Sequence, residues 1–254
     1  MIFDELDEKM RSYERSMDQI ILDDTYVIVR LDGRGFTKLT KETIKFEVPF
    51  DITFRNAMIE TVKHLMDCGF RIIYGYTESD EISLLFDVRD TTFNHKVRKV
   101  ISVLAGEASG FLSLKLGVPV CMDCRVIPLP SKELVVDYFS WRMEDSYRNS
   151  INAYCYWTQR KEGITAGKAS SALKKKSVPE KQAMLLARGI DFESVPEWQK
   201  YGVGVVRETY LKEGHNPKTG ETVKCERSRL TVKDSLPTRD EYRQMIQELL
   251  AVIC

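Results

Sequence analysis

Between Thr25 and Leu31 the chain reads TYVIVRL, a β-branched run that stops at Asp32-Gly33, the pattern of a strand followed by a turn. From Pro49 to Cys68 the period changes. Phe54, Ala57, Met58, Thr61, Val62, Leu65 and Met66 recur at helical spacing, with Gly69 just past the end, which predicts a helix. FRIIYGYT and EISLLFDV are two strand-like runs separated only by ESD, which suits a tight hairpin with Asp80 at or beside its turn. A second helix is predicted from about Thr92 to Leu116, where Val97, Val100, Ile101, Leu104, Ala108, Phe111 and Leu112 keep the period and Gly117 and Pro119 end it. Val120 to Leu129 then alternates as a half-buried strand does.

This order is βαββαβ, the ferredoxin-like arrangement of an α+β fold. Its crossovers make the first two strands parallel, and the hairpin returns the third between them. Asp32, Asp80 and Glu81 are therefore expected to converge at one sheet edge. Residues 1–130 read as the catalytic core and 131–254 as an extension packed on it as one unit. The extension holds an aromatic-rich helical stretch from Ser131 to Gly163 and one or two helices broken near Pro179. It ends in a β-hairpin over Lys200 to Val232, whose loop carries His215, Asn216, Pro217 and Gly220.

Composition narrows the picture. The 254 residues are 43% hydrophobic, enough for a packed core. Lys and Arg number 38 against 38 Asp and Glu, so any nucleic-acid surface must be local. The stretch through Gln19 is charged where a secretory signal needs an apolar run, and no window approaches about 18 uninterrupted apolar residues. A cytoplasmic protein with no membrane partner is expected, its six cysteines reduced.

Carboxylates gathered at one edge repel unless a cation lies between them, so a hard metal, magnesium best, is the economical explanation. Two such ions about 4 Å apart would activate an attacking hydroxyl and stabilise a leaving oxygen in phosphoryl or nucleotidyl transfer. Gly33 and Gly35 allow close backbone approach to a metal or triphosphate, and Arg34 offers a donor fork. Either stretch alone would also suit a solvated turn; it is the convergence that favours a site. Lys96, Arg98 and Lys99 open the second helix, where backbone amides and positive charge suit phosphate oxygens. Lys174, Lys175 and Lys176, with Lys168 and Lys181 nearby and Arg227, Arg229 and Lys233 further on, suit a nucleic-acid backbone, although a solvated charge cluster is the plainer reading.

Other chemistries find little support. GITAGKAS fails as a phosphate loop, because Glu162 and Ala169 stand at the first glycine and the hydroxyl positions. Cys121 and Cys124 point to opposite faces of a strand without a second pair to complete a zinc set, and read as buried thiols. His64, His95 and His215 have no recognisable triad partner. The aromatic group Tyr138, Phe139, Trp141, Tyr147, Tyr154, Tyr156 and Trp157 is expected to be mainly core.

VIVRLDGRGF, YTESDEISLLF and YFSWRMEDSYRNSINAYCYW together resemble the tRNA(His) guanylyltransferase family and its Thg1-like relatives, the 3'-to-5' nucleotide polymerases. The resemblance implies a polymerase-type palm. It implies that Asp32 and Asp80 bind metal with the Gly33 carbonyl, that Glu81 is a supporting catalytic acid, and that Arg34, Gly35, Phe36, Ser79, Lys96 and Lys99 lie near a nucleoside triphosphate. The cofactor implied is Mg2+, two or more ions, with ATP, GTP and other NTPs as substrates. A tRNA 5'-monophosphate would be activated by ATP or GTP, then attacked by the 3'-hydroxyl of an incoming nucleotide. The tRNA partner would be held at its 5' end and acceptor stem by a homotetramer built from dimers. Eukaryotic guanylyltransferases carry His-Ile-Asn-Asn where this chain has Tyr147, Arg148, Asn149 and Ser150; Arg148 and Asn149 join Lys174, Lys175 and Lys176 as the expected RNA contacts. The difference points to the branch that repairs 5'-truncated tRNAs against the opposite strand. Dedicated addition of G at position −1 of tRNA(His) is the alternative, and a nucleotide cyclase or a noncatalytic RNA-binding module are more distant ones.

Overall fold

The computed structural model describes residues 3–215 and 222–251. In chain order the elements are α1 (Phe3–Arg15), β1 (Tyr26–Gly33), the short α2 (Phe36–Lys38), α3 (Ile52–Met66), β2 (Ile72–Glu78), β3 (Glu81–Phe86), α4 (Val97–Leu116) and β4 (Met122–Leu129). There follow α5 (Lys132–Lys161), α6 (Ala166–Leu173), α7 (Val178–Leu186), α8 (Glu197–Tyr201), β5 (Val203–His215), β6 (Thr222–Lys233) and α9 (Arg239–Ala251). The strands form one antiparallel sheet in the order β4-β1-β3-β2-β5-β6. Its first four strands have the ferredoxin-like order expected from the sequence, with β3 between β1 and β2.

Strand alternation divides the core into two layers. Val29 and Leu31 of β1 join the side chains of α3 and α4 on one face of the sheet, whereas Ile28 joins those of α5 and α9 on the other. α3 starts where Asp51 accepts the backbone N–H groups of Thr53 and Phe54 at 2.7 and 2.9 Å. Its buried stripe of Met58, Val62, Leu65 and Met66 follows, and each full burial of such a side chain contributes about 1.5–3 kcal/mol. A third cluster lies under α5, α6 and α7, where Ile151, Cys155, Leu173, Leu185 and Phe192 meet. Tyr147, Tyr154 and Tyr156 pack there, while Trp141 is 55% exposed.

Several boundaries differ from the sequence expectation. β1 runs on through Asp32 and Gly33, which pair with Asp123 and Met122 of β4. A strand flanked on both sides continues as long as its neighbours offer partners, so Asp-Gly is here ladder and not turn. α4 begins only at Val97, because Phe93, Asn94 and His95 take left-handed conformations (φ 55°, 52° and 59°). The helical break near Pro179 falls earlier, after Leu173. Pro179 sits in the first turn of α7, where its missing N–H is harmless, behind a capping box between Ser177 and Glu180. The C-terminal hairpin extends the sheet, since β5 pairs with β2 from Tyr74–Val206 to Thr77–Val203. Asn216, Pro217 and Gly220 lie outside the described residues. Cys121 is exposed, not buried, whereas Cys124 packs against the core, and the described cysteines are free thiols. No described helix is long and apolar enough to cross a membrane.

Candidate active site

β1 and the β2–β3 hairpin deliver the carboxylates. Asp32, near the end of β1, stands directly opposite Glu81, the first residue of β3. Glu78 and Glu81 close the hairpin around Ser79 and Asp80, with Ser79 at φ 50° and its hydroxyl donating to Asp80 Oδ1 at 3.1 Å. Gly33 accommodates this turn by lacking a side chain: a Cβ there would lie 2.7 Å from Asp80 Oδ2 and 2.3 Å from the Phe36 ring. Gly35, at φ 74°, then turns the chain so that Phe36 can fold back into the core. Asp32, Gly33 and Asp80 are thus brought together at one sheet edge.

Burial raises the affinity of this edge for positive charge. Asp80 is shifted above the ordinary carboxylate range by burial, and the charge of Asp32 adds to the shift. Glu81 is also raised, by burial first, against the opposing pull of Arg142 and Arg30. Its carboxylate is engaged: Arg142 of α5 donates from Nε to Oε1 at 2.7 Å and from Nη2 to Oε2 at 2.9 Å. Arg142 also donates to Asp145 at 3.0 Å and lies 3.8 Å from Glu78, whose carboxyl is pushed up to about 7 by burial and by the charge of Glu81. Glu81 therefore points into a buried ion cluster, while Asp80 faces the open edge.

Beside Asp80 opens a cavity of about 260 Å³. Phe36, Phe54, Trp157 and Trp198 supply apolar walls, and Glu78, Ser79 and Asp80 one polar side. Asn149 and Ser150 of α5 also line it; the buried Ser150 hydroxyl has no hydrogen-bond partner among the described residues. Lys41, at its rim, lies 5.2 Å from the Trp157 ring centre and 5.6 Å from that of Tyr156.

The remaining expected site residues scatter. Arg34 is exposed next to the carboxylate edge, held there by its N–H donating to the Cys121 carbonyl at 2.9 Å. Lys96 and Lys99 are not brought to it within this chain. Ile20, which precedes β1, bridges to Lys96, so both lysines lie at the far end of a strand that is about 25 Å long. Lys96 is tied to Asp18 at 3.1 Å, and Lys99 lies over Phe93. Arg148 points outward to Glu144. Lys174, Lys175 and Lys176 occupy the break between α6 and α7; Lys174 shares an opening with Tyr156, one aromatic ring away from Lys41. Arg229 and Lys233 are paired with Glu208 inside the hairpin.

Sequence reasoning missed Glu78, Arg142 and Asp145. The signal was available in part: Arg142 interrupts the buried stripe of Val135, Phe139, Met143 and Ser146, and a guanidinium on such a stripe requires buried anions. Which anions, the sequence does not say.

A sheet of this order with paired carboxylates at its edge and an adjoining cavity can serve phosphoryl or nucleotidyl transfer, and the family matches make the class a nucleotidyltransferase. Residues 7–130 match the family model described as tRNAHis guanylyltransferase, and residues 133–248 match the Thg1 C terminal domain. The tRNA(His) guanylyltransferase of Debaryomyces hansenii is 30% identical over 236 residues, 87% of this chain and 88% of that protein. Two structures of a bacterial tRNA(His) guanylyltransferase (Thg1)-like protein are also similar, each 25% identical. The GTP complex has a TM-score of 0.74 over 97% of this chain and 99% of its own, and the ATP complex 0.73 over 96% and 99%. The chain belongs to the tRNA(His) guanylyltransferase family.

Proposed function

We propose that this enzyme adds nucleotides to the 5' end of tRNA in the 3'-to-5' direction, templated by the acceptor strand, and that its main task is repair of 5'-truncated tRNAs. The observation that carries the reading is the Asp80 carboxylate seated over Gly33, beside Asp32 and at the mouth of an aromatic-walled cavity.

In this reading the cavity takes the base of a nucleoside triphosphate between its aromatic walls, and Arg34 meets the phosphates. Asp32 and Asp80, with the Gly33 backbone, would hold Mg2+. Their donor set fits: all are hard oxygens, and burial with mutual repulsion favours a cation there. Among the described residues no group of three or more His, Cys, Asp or Glu could hold a metal ion, so the ion's shell would have to be completed from outside the protein. Magnesium commonly takes one or two carboxylates and completes its shell with water and phosphate oxygens. When bound, the metal supplies charge neutralisation at the transferring phosphoryl group and lowers the pKa of the attacking hydroxyl. Glu81 acts through Arg142, keeping the start of β3 and hence Asp80 in place.

Repair is favoured over dedicated addition of G at position −1 because Tyr147, at the position of the family's histidine, is used structurally. It stacks on Tyr201 with ring centres 5.5 Å apart and packs against Phe192. Asn149 reaches the cavity, and Lys174, Lys175 and Lys176 form the outer part of an RNA path. A cytoplasmic, oligomeric enzyme belongs to the same reading.

The test is extension of 5'-labelled tRNA(His) beside a tRNA lacking its first nucleotide, with magnesium, ATP and all NTPs. Restoration of the truncated tRNA should be faster, and Asp80→Ala should abolish it. Preference for intact tRNA(His) would overturn the repair assignment, and extension by Asp80→Ala would overturn the site.

A further inference from the structure

Among the described residues three buried side-chain polar atoms have no hydrogen-bond partner: Arg30 Nε, Arg55 Nε and Ser150 Oγ. Arg30 lies 3.8 Å from Glu81 and so belongs to the buried ion cluster. Arg55 and Ser150 both line the cavity beside Asp80, one from α3 and the other from α5. Buried polar groups are nearly always paired in native proteins, and two orphans in the lining of one cavity call for a ligand that pairs them.

Ser150 is only 2% exposed. A serine within a helix can donate to the carbonyl four residues back, as Ser140 does to Val136 at 2.7 Å in the same helix. Ser146 turns instead to the Lys200 carbonyl at 3.1 Å. Ser150 does neither, and its neighbour Asn149 donates to Asp145 at 3.3 Å. Arg55 is fixed at its far end: Asp234 and Asn56 accept from its two terminal nitrogens, and its guanidinium lies 5.1 Å from the Trp198 ring centre. Its unpaired Nε–H is thus set beside an aromatic wall, where the reading above places the base.

The two groups differ in the partner each needs. A guanidinium N–H only donates, whereas a hydroxyl donates or accepts as it rotates. Adenine and guanine both present the N7 acceptor, but beside it one carries an amino donor and the other a carbonyl acceptor. A hydroxyl suits both. We infer that Ser150 and Arg55 are the base-reading residues of this site: Arg55 Nε donates to a ring acceptor of a purine, and Ser150 pairs with its 6-amino or 6-oxo group. The inference rests on the proposal that the cavity holds the base of a nucleoside triphosphate.

Calorimetric titration of the full chain with magnesium present tests it. The ligands are GTP, ATP, purine riboside triphosphate, which lacks the 6-substituent, and tripolyphosphate, which lacks the base. Ser150→Ala should weaken GTP and ATP about fivefold each and leave the other two ligands unchanged. Arg55→Lys keeps a charge for Asp234 but has no Nε; it should weaken all three nucleotides by about fivefold or more and leave tripolyphosphate unchanged. Without ligand, Ser150→Ala should unfold at the same or a higher temperature, since it removes an unpaired buried group. Equal weakening of tripolyphosphate by Ser150→Ala would mean that the hydroxyl acts through the fold, and would overturn the inference. Unchanged binding of GTP and ATP by both variants would also overturn it, while leaving the nucleotide cavity in place. Failure of the wild type to bind any of the three nucleotides would overturn the cavity reading itself.

Discussion

Replacing Arg142 by methionine keeps much of the side-chain volume and removes a guanidinium surrounded by Glu81, Asp145 and Glu78. Breaking a buried pair from one side costs about 3–5 kcal/mol, because the abandoned charge stays buried. Arg30, 3.8 Å from Glu81, provides partial compensation, which places the expected loss near 3 kcal/mol. For a chain of this size that is a fall of roughly 6–12 °C in Tm. The loss should also depend on pH. Glu78 is raised from 4.5 to about 7 in the folded protein, so between those values the folded state binds more protons than the unfolded. Stability from this group is therefore present below about pH 4.5 and is lost as pH rises through about 7. Removing Arg142, whose charge lowers Glu78 and Glu81, raises both further and extends that loss to higher pH. Urea denaturation of wild type and Arg142→Met at pH 5.5 and 8 measures the difference. The deficit should be larger at pH 8. A loss below about 1 kcal/mol, in the range of an exposed ion pair, or an equal loss at both pH values, would refute the buried-cluster argument.

Asp80→Asn should abolish nucleotide addition while leaving the unfolding midpoint equal or higher at neutral pH, because it removes a charge that burial already disfavours; a lower midpoint would show that the carboxylate stabilises the fold. Gly33→Ala forces a methyl against Asp80 and the Phe36 ring, so overpacking should cost about 1–3 kcal/mol, with activity falling at least tenfold in a single-turnover assay. Leu65→Ala, in the fully buried face of α3, should cost about 2–5 kcal/mol by denaturation and leave the activity of the folded fraction unchanged. Changing Lys174, Lys175 and Lys176 together to alanine should weaken tRNA binding and flatten its salt dependence; an unchanged salt slope would remove these residues from the RNA path.

Local pattern accounts for much of the fold. The helical spacing of α3, the alternation of β4 and the brief ESD interval between two strand-like runs are short-range properties, and each element appeared close to its expected position. α1 and α9 were not anticipated: α1 has no buried face in this chain, and α9 finds its place only by packing on α5 and on the sheet, where Tyr242 meets Tyr74. Lys96 and Lys99 show the limit of reading function from local pattern. Basic residues at a helix start suit phosphate equally well at either end of a sheet, and the direction of α4 sets them at the end away from Asp32.

By itself, then, the sequence determined the strand and helix order of the first half and the candidate carboxylates, because periodicity and turn chemistry act over a few residues. Tertiary structure alone decided that Glu81 turns to Arg142, that Glu78 is buried beside it, and that Asp80 is left facing the cavity. Those outcomes depend on where α5 crosses the sheet, and a charge is buried or free according to neighbours about 60 residues away in the chain, whose approach no local pattern specifies.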